Sequence, residues 1–236
     1  MKIIFFDIDG TLIHAQQAGR RAMLGMLSDL TGRDIGLNGV SFGGMTDLTN
    51  IRNTLRANAF SDAEVNRLLP LAVDALPVYM KRETEATPGY ALPGILPLLS
   101  HLRARADVAI GLITGNLRTT APYKLSNAGV DPVWFPFGGY GDDGESRNEL
   151  PPIALRRAEN VLNRQLSPAQ AIVIGDTTAD VECANVNGMR SVAVLTGWTS
   201  RETLAAAQPD LLLDDLSDLD HVLAQMGLDM NGGEPE

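Results

Sequence analysis

The sequence predicts an α/β protein: a doubly wound parallel sheet with an α-helical domain inserted after its first strand. Three observations carry this. The chain opens with Ile3-Ile4-Phe5-Phe6, apolar on both faces, which suits a central strand of a covered parallel sheet. A helical period then holds through about residue 87. From Pro88 onward strand-like runs alternate with helical ones, the signature of parallel strands joined by crossover helices.

Each element has its own warrant. In the helical stretch, Ala22, Met23, Met26, Leu27 and Leu30 fall at helical spacing before Thr31-Gly32 stops the run. A glycine-rich loop follows over 36–46, and Asp47 can cap a second helix carrying Leu48, Ile51 and Leu55. A third begins near Ser61, where Pro70 and Pro77 are expected to kink or break it. After the turn at Leu92-Pro93-Gly94 comes a helix through Leu99, then a strand over 108–113 that ends at Thr114-Gly115-Asn116. A helix near 119–127 closes at Gly129, and 133–137 reads as a third strand. Pro151 and Pro152 can start the next helix. The strand over 171–174 ends at Gly175-Asp176, 191–195 is a fifth strand, 211–213 a sixth, and 216–226 a last helix. This gives residues 1–13 and 88–228 as the α/β core, 14–87 as the helical insert, and 229–236 as a disordered tail.

Composition bounds the function. A chain of 236 residues with 44% hydrophobic residues can bury a sizeable core, and no apolar run approaches the roughly 20 residues of a membrane span. A single cysteine, Cys183, can form no internal disulfide, which points to a reducing cytoplasm and a small core residue. The net charge of -10 is local: after Arg201 the chain has nine acids and no Lys or Arg. The rest is close to neutral and lacks the basic footprint of a nucleic-acid binder. Oligomeric state has no signature here.

The chemistry gathers at strand ends. Alternation would project Asp7 and Asp9 to one side, where two unpaired buried acids repel unless something positive sits between them. A divalent cation with oxygen ligands is the simplest candidate, and Gly10 lets backbone approach it. Asp and Gly also end strands and begin turns without binding anything. Yet three strands end in polar clusters, Asp7/Asp9, Thr114/Gly115/Asn116 and Asp176/Asp180, and ligands of parallel sheets gather outside those carboxyl ends. Acids and a hydroxyl around one point fit magnesium and a phosphate.

Asp7-Ile-Asp9-Gly10-Thr11, the strand closing in Thr114, and Gly175-Asp176-Thr-Thr-Ala-Asp180 resemble, in order and approximate spacing, three signature motifs of the haloacid dehalogenase superfamily. The resemblance runs to about Trp198. The helical insert looks like that superfamily's cap, while Gly44-Met-Thr46-Asp47 and Pro93-Gly94 are similar to its phosphoglycolate phosphatase-like branch. The resemblance implies that Asp7 attacks phosphorus to form an aspartyl-phosphate and that Asp9 protonates the leaving oxygen and later activates water. It implies that Thr114, with Gly115 and Asn116, binds the phosphoryl group. Mg2+ would be held by the Asp7 side chain, the Asp9 carbonyl and Asp176, with Asp180 in support.

One signature departs from the family form. The family places a lysine between the second motif and the last, whereas no lysine follows Lys124 here. Arg147, just before the helix leading to the fourth strand, is expected to neutralise the phosphate with its planar fork. Lys124 is the competitor, but its mid-helix place reads as a surface position. His14 reads as structural, His101 and His221 as helix-surface residues, Trp134 and Trp198 as packing residues. Arg20, Arg21 and Arg52 read as solvated. Thr46 is the best candidate for substrate contact from the cap.

The expectation is therefore a magnesium-dependent phosphatase acting on a small phosphomonoester, a phosphoglycolate-like compound or a sugar phosphate. Dehalogenation is disfavoured because Asp9 is a leaving-group acid. A sugar phosphomutase shares both motif aspartates and is the enzymatic alternative; a phosphate-binding protein without turnover is the other.

Overall fold

The computed structural model describes residues 1–228, so the expectation of a disordered tail from Asp229 lies outside the described residues. The chain runs β1 (Lys2–Phe6), β2 (Ile13–His14), α1 (Ala18–Thr31), α2 (Asp47–Ala57), α3 (Asp62–Ala86), β3 (Tyr90–Ala91), α4 (Ile95–Ala104) and β4 (Val108–Ile113). It continues through α5 (Ala121–Asn127), β5 (Gly138–Gly139), α6 (Leu150–Leu162), β6 (Ala171–Gly175), α7 (Thr178–Val186), β7 (Arg190–Val194), α8 (Arg201–Ala206), β8 (Leu211–Leu213) and α9 (Leu219–Gln225). Among the described residues, β5-β4-β1-β6-β7-β8 form a parallel sheet in that order, with β1 between β4 and β6. No helix among the described residues is long and apolar enough to cross a membrane.

The apolar run of β1 explains its central place. Ile4 and Phe6 enter one core with Leu98 and Leu102 of α4 and Val222 and Leu223 of α9. Ile3 and Phe5 enter another on the opposite face, with Ala154 and Ala158 of α6 and Ala184 of α7. All four are fully buried, each worth roughly 1.5–3 kcal/mol of apolar transfer. The helical segment has a third core of its own: Met23, Met26, Leu27, Ile51, Leu55, Val65, Leu76 and Met80, joined by Leu117.

Two expectations from the sequence are corrected. Helix α3 runs unbroken through Pro70 and Pro77. The capping box of Ser61 and Glu64 starts it, and Val65, Leu68, Ala72, Leu76 and Met80 bury one face against α1 and α2. That burial outweighs the roughly 3 kcal/mol each interior proline costs. Residues 133–137 do not form a strand. Pro132–Trp134 is a 3-10 turn whose N-terminus is capped by the Asp131 carboxylate, and the pairing with β4 begins at Gly138. Pro132 and Pro136 lack the N–H groups a sheet ladder needs, which the apolar run conceals.

Two short connections link the sheet to the helical segment. Ile13–His14 and Tyr90–Ala91 pair as an antiparallel ribbon, and the His14 ring stacks on Tyr90 at 5.1 Å. Just beyond it, Gly94 opens α4 with φ 79°, and a Cβ there would stand 1.9 Å from the Leu216 carbonyl oxygen. We expect Gly94→Ala to cost about 2–4 kcal/mol from left-handed strain plus that overlap, read as a lower urea midpoint. A midpoint equal to wild type would show that α4 is not seated on the Leu216 backbone.

Candidate functional site

Sheet register brings the motif residues together. Phe6 is level with Leu112 of β4 and Ile174 of β6, so the residues that follow on all three strands emerge side by side. Asp7, Asp9, Thr114, Gly115, Asn116, Arg147 and Asp176 all line one cavity of about 460 Å³. Its other wall comes from the helical segment and its loops, including Arg20, Phe42, Asp47 and Asn50, and from Trp198.

The centre is a cluster of acids. One carboxylate oxygen from each of Asp7, Asp176 and Asp180 lies within 4.8 Å of the others, and all three residues are buried. Arg147 is the cation among them. Its Nη2 lies 3.0 Å from Asp7 Oδ1 and also donates to Asp180 Oδ1. The Asp180 Oδ2 is occupied too, accepting from Thr177 N at 3.0 Å and Thr177 Oγ1 at 2.6 Å. Asp176 accepts at Oδ1 from the Thr11 hydroxyl, 3.0 Å away. Gly10, at φ 86°, makes room for that carboxylate: a Cβ would stand 2.5 Å from Asp176 Oδ2.

Three carboxylates and one guanidinium leave an excess of two negative charges in a buried place. Burial, only partly offset by Arg147, pushes the Asp7 carboxyl from 3.8 up to about 6, and burial with Asp180 and Asp7 nearby raises Asp176 well above its ordinary value. For Arg147 burial acts the other way, but Asp180 and Asp7 override it and hold the guanidinium protonated. An all-oxygen donor set with this uncompensated charge fits a hard divalent cation.

Thr114 is placed to donate. Its Oγ1 accepts from Asn116 Nδ2 at 2.9 Å and Asn116 N at 3.3 Å, which fills both acceptor positions and turns its proton elsewhere. Asn116 Nδ2 also donates to Asp9 Oδ2 at 2.8 Å. Lys124, expected at the surface, is instead buried: its Nζ is 2.6 Å from the same Asp9 oxygen. The short helix α5 points it inward beneath α1, where aliphatic stem and ammonium are both covered.

Thr46 is not brought to the cavity wall. It caps α2, accepting from Thr49 N at 3.3 Å, and its hydroxyl reaches Thr49 Oγ1 and the Glu145 carbonyl. The neighbouring Asp47 faces the cavity instead. Its N donates to Gly115 O at 2.7 Å and its carboxylate accepts from Leu117 N at 3.1 Å, pinning α2 to the loop after β4. Burial, opposed by Lys124, pushes Asp47 up to about 6. Sequence reasoning read Asp47 as a helix cap and passed over Asn50. The signal was its place in the first turn of a helix whose N-terminus abuts a strand end. Trp198, expected to pack, is 72% exposed at the cavity edge, tilted against His14 at 5.5 Å. His101 is half-buried and His221 exposed.

The charge balance generates a testable pH dependence. Asp7 and Asp176 bind protons more tightly folded than unfolded, so in the cation-free protein their contribution to stability falls as pH rises, for Asp7 from about 4 through about 6. A cation bound to them reverses that loss. We expect magnesium to raise the melting temperature more at about pH 7.5 than at about pH 5. An equal rise at both would place the ion away from these carboxylates.

Known proteins resemble the chain as a whole. A family model described as HAD-hydrolase-like matches residues 149–219. A phosphoglycolate phosphatase of Synechococcus elongatus is 27% identical over 96% of this chain and 99% of its own length. One from Vibrio cholerae is 27% identical over 93% and 95%. A hydrolase from Pseudomonas syringae shares the fold with a TM-score of 0.69 over 96% of this chain and 99% of its own, at 20% identity. The family model reaches only the last motif, while the relatives align over nearly the whole chain: the chain is similar throughout to haloacid dehalogenase-like hydrolases, with phosphoglycolate phosphatases among its relatives.

Proposed function

We propose that the protein is a magnesium-dependent phosphatase that hydrolyses a small phosphomonoester, with Asp7 as nucleophile. The observation that carries this reading is the convergence of Asp7, Thr114, Asp176 and Arg147 on one cavity wall, facing a helical segment that leaves room for a small leaving group. The end-to-end likeness to phosphoglycolate phosphatases supports the reaction class, with a phosphoglycolate-like ester or a sugar phosphate as substrate.

In this reading a side-chain oxygen of Asp7 attacks phosphorus as the ester P–O bond breaks, and Asp9 gives its proton to the departing oxygen. Asp9 then takes a proton from water, whose oxygen attacks phosphorus and breaks the bond to Asp7, releasing inorganic phosphate. The Thr114 hydroxyl donates to a phosphoryl oxygen throughout. Arg147 balances Asp7 and Asp180 and keeps the nucleophile facing the cavity. Asp7, the Asp9 carbonyl and Asp176 would hold Mg2+, with Asp180 fixing Arg147 and Thr177 behind them. The ion supplies charge neutralisation for the phosphoryl oxygens. The helical segment, residues 14–87, is the cap that selects the alcohol part and excludes water.

The test is release of inorganic phosphate from a panel of small phosphomonoesters, with magnesium and with a chelator. We expect metal-dependent release that Asp7→Asn abolishes and Asp9→Asn lowers by about 10²–10⁴-fold on alkyl esters. A wild-type rate in Asp7→Asn would move the nucleophile elsewhere, and phosphate that migrates within a sugar without release would make the enzyme a mutase. Arg147→Met leaves Asp7 and Asp180 facing each other uncompensated. It should lose roughly 3–5 kcal/mol of stability along with activity. A variant of unchanged melting temperature would mean that Arg147 is not the balancing charge.

A further inference from the structure

The cavity holds two buried cations, and the reaction as proposed uses only Arg147. Lys124 is 6% exposed and its ammonium sits on Asp9, not on Asp7. Three details make this a built position. Asp9 Oδ2 accepts two N–H bonds, from Lys124 Nζ at 2.6 Å and from Asn116 Nδ2 at 2.8 Å. Asn116 is itself anchored to Thr114, so the pair of donors is tied to the end of β4. Over the ammonium lies Gly19 of α1, where a Cβ would stand 3.0 Å from Lys124 Nζ and 3.4 Å from its Cε. A glycine inside a helix costs stability relative to alanine, so its presence at this contact has a packing reason.

We infer that Lys124 is a positioning residue for the leaving-group acid: together with Asn116 it holds Asp9 Oδ2, so that Oδ1 is the oxygen that carries the transferable proton. An oxygen that accepts two N–H bonds, one from an ammonium, has no place for a proton of its own. The proton therefore rides on the other oxygen of the carboxyl, and the carboxyl cannot turn without breaking both bonds. As the ester P–O bond breaks, that proton passes from Oδ1 to the alkoxide oxygen. Gly19 leaves α1 the clearance to close over this arrangement, with Asp47 facing the ammonium from the start of α2.

The inference rests on Asp9 as the acid, and the experiment separates the two. Rates are compared on an alkyl phosphate, whose leaving group needs a proton, and on p-nitrophenyl phosphate, whose leaving group does not. We expect Lys124→Met to lose about 10²-fold in kcat on the alkyl ester and less than about 10-fold on the aryl one, with KM little changed. Lys124→Arg should recover part of the alkyl rate. Gly19→Ala is the second route, adding a helix-favouring residue that presses on Nζ. It should lose several-fold on the alkyl ester alone while its melting temperature stays at or above wild type. Equal losses on the two esters in Lys124→Met, or in Gly19→Ala should the former fail to fold, overturn the inference; so does a rise in KM without a fall in kcat. If Asp9→Asn itself shows no preference between the esters, Asp9 is not the acid and this role for Lys124 falls with it.

Discussion

The structure depends on holding three carboxylates together out of water. Left alone, Asp7, Asp176 and Asp180 would repel, and burial would favour their neutral forms. One guanidinium cannot cancel three charges, but it fixes the geometry by binding Asp7 and Asp180 at once. The remaining groups are spent on keeping each acid in one orientation: Thr177 on Asp180, Thr11 on Asp176, Ile174 O on the Asp7 N–H. What is left over is a negative charge aimed into the cavity. A fold that carries such a deficit at the end of its central strands needs the tight cores on both sheet faces to tolerate it, since buried polar networks have no water to relax into.

The position of the helical segment follows from the same strand ends. Its attachment is local, two antiparallel residues in each connection, yet its grip on the sheet is made at the site itself. The backbone N–H of Asp47 binds Gly115 O, the Asp47 carboxylate binds Leu117 N, and Thr49 and Arg52 both bind Glu145. Leu117, two residues beyond the anchor point on Gly115, enters the apolar core of the helices rather than that of the sheet. The loop after β4 therefore belongs to both parts. Its Thr114 faces the acids while the residues that follow receive the helices, and any movement of α2 acts on the loop that carries Thr114 and Asn116.

Much of this was legible in the sequence because the relevant signals are short and local. The apolar run of β1, the polar residues directly after it and the recurrence of strand ends at Thr114 and Asp176 predict a parallel sheet with its chemistry at one edge. Arg147 was reachable only through the resemblance, which asks for a cation before the last motif, and by its place just before the helix that leads into β6. What stayed hidden depends on partners distant in sequence. The continuity of α3 across two prolines is decided by the face it buries, not by the prolines. The failure of 133–137 to pair is decided by missing N–H groups at Pro132 and Pro136. Lys124 read as exposed because a lysine on a short helix usually is, and only the packing of α1 over α5 buries it.

That burial changes how the charges in the cavity are divided. Arg147 and Lys124 are both enclosed, but they serve different acids: Arg147 bridges Asp7 and Asp180, and Lys124 meets Asp9 and faces Asp47. A single cation could not do both, because the proposed chemistry asks opposite things of the two acids. The nucleophile has to stay ionised while the other carboxyl presents a proton. Arg147 fixes two carboxylates at once, whereas Lys124 and Asn116 both hold one oxygen of Asp9 and leave its other oxygen to the proposed proton transfer. In the proposed reaction Arg147 takes the place of the family's usual lysine, and the lysine this chain does carry stands one carboxylate away, on Asp9.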